Sequence, residues 1–340
     1  MTKIALAIHG GAGTIFRSSM TAELEREYRG GLENALRAGW EILQKAGTSL
    51  DAVEATTCVL EDFHLFNAGR GSVFTHDGKN EMDASIMDGK TLNAGAVAFV
   101  KNIKNPIKLA RLVMEKTEHV LLAGDGANQF AAQMGIETAD DQYFFTRHRW
   151  QQLEEAIAAG RTILDHSEIS TAETPRRGEN DAETRPVLSV SSSDIPHSAF
   201  RNPHSKGTVG AVACDHFGNL AAATSTGGMT NKKFGRIGDT ALIGAGNYAD
   251  NATCAVSCTG HGEFFMIGVT AYDVAARMKY KGVSLEKAAN EGIEYLTEIG
   301  GEGGLIAVDP SGKVALPFNS DGMYRGFVTA ESEMTIEIYR

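Results

Sequence analysis

At 340 residues and 42% hydrophobic content the chain has enough apolar material for a substantial core, arranged either as two domains or as one large α/β unit. Its formal net charge of −11, with no lysine or arginine block, argues against nucleic acid or an anionic membrane as partner. The four cysteines (Cys58, Cys214, Cys254, Cys258) lack both Cys-x-x-Cys spacing and disulfide density, and no apolar run approaches the roughly 20 residues of a membrane span, so the reading is a soluble, cytoplasmic protein.

Lys3 to Ile8 is a short apolar run closed by glycines and reads as a buried strand. Thr21 then caps a long helical pattern, with Glu23 and Glu25 in its first turn, Leu32, Ala35, Trp40 and Leu43 on its apolar face, and Gly47 as a stop. Leu50 to Phe63 repeats that pattern. From Ser72 to Val100 the period shortens toward two, broken by the hairpin signals Asp77-Gly78 and Asp88-Gly89. Helices are predicted at about 106–117, 125–134 and 142–162.

Composition changes after Asp165. Residues 166–206 hold four of the seven prolines, a Ser191-Ser192-Ser193 run and few apolar side chains, so a flexible arm is expected. Strands return at 208–214, 219–226, about 240–246 and 252–258, the first two joined by a turn at Phe217-Gly218-Asn219. Helices at about 262–280 and 284–298, and strands near 304–309, 313–317 and 334–339, complete the chain. Cys254 and Cys258 share one face of their strand and read as small buried apolar residues. Strands at both ends with helices between them fit layered α/β packing, but the pattern leaves strand order open.

The pair Gly207–Thr208 stands where the polar arm meets an apolar strand. A mid-chain threonine hydroxyl has no dedicated base. Once the preceding bond is cut, Thr208 gains an α-amine beside its own Oγ, and that amine titrates near neutral pH, about 7.7–8. Scission needs no protease: the Thr208 hydroxyl can attack the Gly207 carbonyl to form an ester that water hydrolyses, and a glycine lacks the Cβ that would obstruct a distorted backbone there. By itself a Gly-Thr pair is commonly an ordinary strand start, so its neighbours decide.

Those neighbours are Ile-His-Gly-Gly-Ala-Gly (8–13), Leu-Phe-Asn-Ala-Gly-Arg-Gly (65–71), Ala-Thr-Ser-Thr-Gly-Gly-Met-Thr-Asn-Lys (223–232), Gly-Arg-Ile-Gly-Asp (235–239), Gly-Ala-Gly-Asn-Tyr-Ala (244–249) and Val-Ser-Cys-Thr-Gly-His-Gly-Glu (256–263). In this order they resemble the plant-type (class 2) L-asparaginase and isoaspartyl peptidase family of N-terminal-nucleophile hydrolases, over nearly the whole chain apart from about 40 residues before Thr208. The resemblance implies a four-layer αββα sandwich with Thr208 starting a central strand. It also implies scission at Gly207–Thr208 into an α chain (1–207) and a β chain (208–340) that form one structural domain and assemble as (αβ)2.

The same resemblance implies roles for single residues. Thr226, eighteen residues after Thr208 and returned beside it by a hairpin, helps orient and polarise the nucleophile. Arg236 and Asp239 clamp the substrate, which fits chemistry: a guanidinium fork reads an α-carboxylate and an aspartate pairs with an α-ammonium. Gly262 adds a carbonyl for that ammonium. The Thr259 hydroxyl and the Gly260 N–H form an oxyanion hole, and Asn67 orders the catalytic hydrogen bonds. Carbonyls of Leu60, Glu61, Phe63, Phe66, Ala68 and Arg70 resemble the family's sodium loop, from which Arg70 departs, since a small or apolar side chain is expected there.

The glycines of 10–13 fit neither a lipase oxyanion loop, because no Gly-x-Ser-x-Gly elbow follows, nor a dinucleotide fingerprint, and a tight turn beneath the site is expected. The histidines are scattered without transition-metal spacing, so no cofactor beyond a structural Na+ is expected. The function implied is an autoprocessing threonine amidohydrolase that releases L-aspartate from β-aspartyl dipeptides and L-asparagine. A glycosylasparaginase, a threonine-aspartase type of relative and an uncleaved, non-catalytic binding scaffold remain as alternatives.

Overall fold

A computed structural model describes residues 4–162 and 207–340; the scission segment's arm, 166–206, lies outside them. Its first strand, β1 (Ala5–Gly13), is buried at every position. It sits inside an eight-stranded sheet because both of its edges are paired: Ala5 faces Thr329 of β11 (Gly322–Thr329) and Cys214 of β5 (Val209–Cys214). The remaining strands of this sheet are β2 (Met82–Asp88), β3 (Ala94–Val100), β4 (Leu121–Ala123), β6 (Leu220–Thr226) and β12 (Ser332–Tyr339). Their order is β12-β11-β1-β5-β6-β2-β3-β4. A second sheet runs β10 (Val314–Ala315), β9 (Gly303–Val308), β8 (Ala255–Gly260), β7 (Asn247–Ala249).

Period-two alternation sorts the side chains into layers. Leu6, Ile8, Ala211, Ala213, Ala221 and Ala223 point outward from the large sheet onto Leu32 and Leu36 of helix α1 (Ala22–Gln44) and Val53 and Leu60 of helix α2 (Ser49–Asp62). Their neighbours Ala5, Ala7, Val212 and Ala222 point inward and meet Ala255, Ile306 and Val308 of the small sheet. On that sheet's far side Cys254, Val256 and Cys258 pack on Val274 of α8 (Thr270–Lys281) and Ala289 and Leu296 of α9 (Leu285–Glu298). The result is the expected four-layer αββα sandwich. Its middle is rich in alanine, and small side chains allow two sheets to pack closely.

Thr21 and Thr48 cap α1 and α2, accepting from Leu24 N and Asp51 N, as their hydroxyl chemistry dictates. The expected helices at 106–117 and 125–134 are α3 (Pro106–Lys116) and α4 (Gly124–Gln133). Four expectations need correction. The 142–162 helix divides into α5 (Asp141–Phe144) and α6 (Arg147–Ala158), because Thr146 turns extended and caps the second. The 262–280 helix divides into α7 (Gly262–Gly268) and α8 at Val269, held left-handed at φ 46°. Asp88-Gly89 does link β2 to β3, but Asp77-Gly78 only closes a turn, Gly78 N to Thr75 O. The strand expected at 240–246 is instead a short 3-10 turn, Asp239–Ala241, followed by β7.

Candidate active site

β5 and β6 form an antiparallel hairpin closed by Asp215 N to Asn219 O, in a register that sets Val209 opposite Ser225. That register brings Thr208 and Thr226 side by side at the open end of the central hairpin. The Thr208 hydroxyl donates to Thr226 Oγ1 at 3.4 Å, and Thr226 Oγ1 donates in turn to the Gly207 carbonyl at 3.0 Å. Asn67 Nδ2 donates to the same carbonyl at 2.8 Å. In the continuous chain the Gly207 carbonyl, just before Thr208, is therefore gripped by two donors, which are placed to stabilise charge developing on that oxygen. The Gly228 N–H donates to Thr226 Oγ1 at 2.9 Å, fixing the hydroxyl as relay.

Asn67 is itself immobilised. It is fully buried, its Oδ1 accepts from Val73 N, and Nδ2 also donates to Gly228 O. One cleft is lined by Gly207, Thr208, Thr226, Arg236, Asp239, Gly260 and Gly262 together with Gly228, Met229, Gly238 and Thr240. Thr259 stands beside this cleft at the end of β8, with its buried Oγ1 making no hydrogen bond. A buried hydroxyl without a partner costs free energy unless a ligand completes it.

Arg236 and Asp239, expected to clamp the substrate, both line this cleft. Asp239 is buried, and burial pushes its carboxyl up to about 7 against the pull of Arg236; its Oδ2 makes no hydrogen bond. Arg236 does not stand alone: Nε and Nη2 meet Oε1 and Oε2 of Glu263, each at 2.9 Å. Glu263, whose carboxyl Arg236 holds below its usual range despite partial burial, also lies 3.3 Å from His261 Nε2. Gly262 is required by space, since a Cβ there would come within 2.8 Å of Asp239 Oδ1 and 2.9 Å of Arg236 Nη2.

Beneath Thr208 lies a polar network that sequence reasoning missed. The His9-Gly10-Gly11 segment is not a tight turn; it continues β1 through a bulge between His9 and Gly11. Fully buried His9 contacts Thr208 O through Nδ1 and Ser257 Oγ through Nε2, both at 2.9 Å. Ser257 Oγ continues to Thr224 Oγ1 at 2.7 Å. Burial pushes the His9 imidazole down to about 3, so it is neutral. Two further buried ionisable side chains have partners that sequence reasoning missed. Lys232 donates to Glu81 O at 2.7 Å, with burial lowering its ammonium, and it packs behind Gly228. Glu61 Oε1 accepts from Ser225 Oγ and Ile107 N, with burial raising its carboxyl to about 8.

The loop expected to hold sodium runs from the end of α2 to Gly71. Carbonyls of Leu60, Phe63, Phe66 and Ala68 each accept one backbone N–H, which leaves each a second lone pair. Gly69 and Gly71 have no room for a Cβ: it would strike the Glu61 carbonyl at one and the Phe66 carbonyl at the other. This all-carbonyl donor set suits a hard cation such as sodium and not a transition metal. The Arg70 guanidinium lies 5.7 Å above the Tyr143 ring. Among the described residues no group of three or more His, Cys, Asp or Glu is placed to hold a metal, and no helix is long and apolar enough to cross a membrane.

A family model described as asparaginase matches residues 2–338. The chain is 48% identical over 341 residues to an isoaspartyl peptidase of Salmonella typhimurium, covering all of both chains. It is 46% identical to an isoaspartyl peptidase of Escherichia coli, over all of this chain and 97% of that one. A plant-type L-asparaginase of Pyrococcus abyssi is 41% identical over 96% of each chain.

Proposed function

This chain belongs to the asparaginase family, and from that membership we propose that it hydrolyses β-aspartyl dipeptides and L-asparagine to L-aspartate after cutting itself before Thr208. The observation that carries the reading is the Gly207 carbonyl, held by Asn67 Nδ2 and Thr226 Oγ1 with the Thr208 hydroxyl one hydrogen bond away.

In the first reaction Thr208 Oγ bonds to the Gly207 carbonyl carbon, and Asn67 and Thr226 stabilise the oxyanion. The C–N bond breaks, and the hydroxyl proton ends on the Thr208 nitrogen, giving an ester and a free amine. Water hydrolyses that ester to the Gly207 carboxylate and restores the hydroxyl. In the second reaction the substrate's α-carboxylate sits on Arg236 and its α-ammonium on Asp239 and the Gly262 carbonyl. Thr208 Oγ attacks the side-chain carbonyl carbon while the α-amine takes its proton. The Thr259 hydroxyl and Gly260 N–H receive the oxyanion, and their use is supported by the unpartnered, buried Thr259 Oγ1. The amine then protonates the departing ammonia or amino acid, and water, activated by the same amine, releases aspartate from the acyl-enzyme.

The carbonyls of Leu60, Glu61, Phe63, Phe66, Ala68 and Arg70 would hold a sodium ion, which would fix the loop carrying Asn67. The two segments 1–207 and 208–340 stay together as one domain, assemble as (αβ)2 and act in the cytoplasm. Denaturing electrophoresis with N-terminal sequencing tests the first reaction: two bands are expected, the smaller beginning at Thr208. Rates for asparagine, several β-aspartyl dipeptides and GlcNAc-asparagine on the cleaved protein test the second. A persistent single band with no ammonia or aspartate released would overturn the reading.

A further inference from the structure

Arg149 is the bulkiest of the fully buried side chains, 1% exposed, and nothing in the reaction described above uses it. It enters from the first turn of α6, where Thr146 Oγ1 accepts its backbone N–H. Its guanidinium donates from Nε to Gly71 O at 2.8 Å and from Nη2 to Leu65 O at 3.0 Å, while Nη1 reaches Gln152 Oε1. Leu65 and Gly71 bracket Asn67. Neither carbonyl is among the six expected to face sodium, so the loop carries a tethered cation on its other carbonyls.

A buried guanidinium is costly unless its donors are filled, and its planar fork suits two carbonyls held at fixed spacing. The neighbouring Trp150 stacks edge-on against Phe74, whose carbonyl accepts Asn231 N. The loop leaving α6 is tied down as well, because Asn231 Nδ2 donates to Arg161 O. Helix α6 and the loop leaving it thus hold both segments that shape the Gly207 carbonyl's surroundings: the helix meets 65–74, which supplies Asn67, and the loop meets 228–232, which follows Thr226.

We propose that Arg149 is a positioning residue for the scission before Thr208: it ties the ends of the 65–71 loop together and so aims the Asn67 carboxamide at the Gly207 carbonyl. The inference rests on the self-cleaving reading. Displacing a donor by about 1 Å can cost roughly 10²-fold in rate, and R149A or R149M is expected to cleave about 10- to 100-fold more slowly than the wild type. R149K, a point charge without the fork, is expected to fall between them.

The test is a time course of band appearance for wild type, R149A, R149K, N67A and R149A/N67A, with melting temperatures recorded alongside. Because Arg149 acts through Asn67, the double variant should be no slower than N67A alone. Guanidinium chloride at about 50 mM, far below the molar range that denatures, should restore cleavage to R149A and leave N67A unchanged, while equal sodium chloride should not. Such rescue would also show that a poorly folding R149A is limited by the missing group. Wild-type rates in folded R149A, multiplying effects in the double variant, or no rescue with R149K cleaving normally would each overturn the proposal. A wild-type chain that never cleaves would instead overturn the function on which it stands.

Discussion

Arg236 and Glu263 face each other side-on, Nε to Oε1 and Nη2 to Oε2. This arrangement leaves the Nη1 end of the guanidinium beside Gly238. In the proposed reaction that end takes the substrate carboxylate, and Glu263 would orient the clamp without occupying it. E263Q is expected to raise KM for asparagine about 3- to 10-fold with little change in kcat, since the lost contact serves bound substrate and transition state equally. R236K cannot serve both partners and should lower kcat/KM by about 100-fold, near the upper worth of a hydrogen bond to a charged group. Steady-state kinetics on cleaved protein decide; an E263Q enzyme with lower KM would mean that Glu263 competes with substrate.

The proposed scission and turnover would draw on different donors. Asn67 and Thr226 reach the Gly207 carbonyl, whereas Thr259 Oγ1 makes no such bond. T259V should cleave at the normal rate yet lose about 10²- to 10³-fold in kcat, and N67A should slow cleavage by a similar factor. Gel time courses and ammonia release, measured on the same preparations, separate the two effects. Equal impairment of both reactions in T259V would refute the division.

In the proposed reaction Asp239 must be ionised to hold an ammonium group, yet burial has raised its carboxyl to about 7. The proposed Thr208 amine must also be neutral to accept a proton. Two deprotonations are then needed, so log(kcat/KM) should climb with a slope steeper than one between about pH 5.5 and 7. The sign for stability follows from linkage: a carboxyl raised from 3.8 to about 7 favours folding in acid, and that contribution is lost as pH rises through 7. D239N should consequently gain melting temperature over wild type at pH 8 and not at pH 4.

His9 works in the opposite direction. Its imidazole drops from 6.5 to about 3 on folding, so its contribution is present above pH 6.5 and drains away as pH falls toward 3. H9Q, neutral throughout, should be less stable at pH 8 and lose less on acidification. Chemical denaturation at pH 8, 6 and 4.5 measures this; parallel curves for the two proteins would count against it.

Much of this was legible in the sequence because the signals were local. Thr21 and Thr48 announced their helices through capping, and the spacing of Thr208 and Thr226 around one turn placed two hydroxyls together. Two of the six short motifs, 235–239 and 256–263, carried the residues proposed for the clamp and the oxyanion pair. What escaped notice depended on distant partners: His9 meets Ser257 across 248 positions, and Arg149 meets Leu65 across 84. An isolated histidine after a strand, or one arginine among three basic residues of α6, carries no mark of such a contact. Glu263 was visible inside the Thr-Gly-His-Gly-Glu motif, and its opposite charge to Arg236 was a signal left unread. The kink at Val269 has no sequence mark, for a β-branched residue is a poor candidate for a left-handed backbone.

The order β12-β11-β1-β5-β6-β2-β3-β4 has one consequence for a nicked molecule. Strands from before and after Thr208 are interleaved, with β1 on one side of β5–β6 and β2 on the other. The segment after Thr208 holds the whole small sheet, but neither segment holds the large one alone, and pulling them apart would tear three ladders of backbone hydrogen bonds, β1–β11, β1–β5 and β2–β6. If the chain is cut as proposed, the wound would open at the rim of the weave, so the fabric would keep its shape and only the fresh amine would be new.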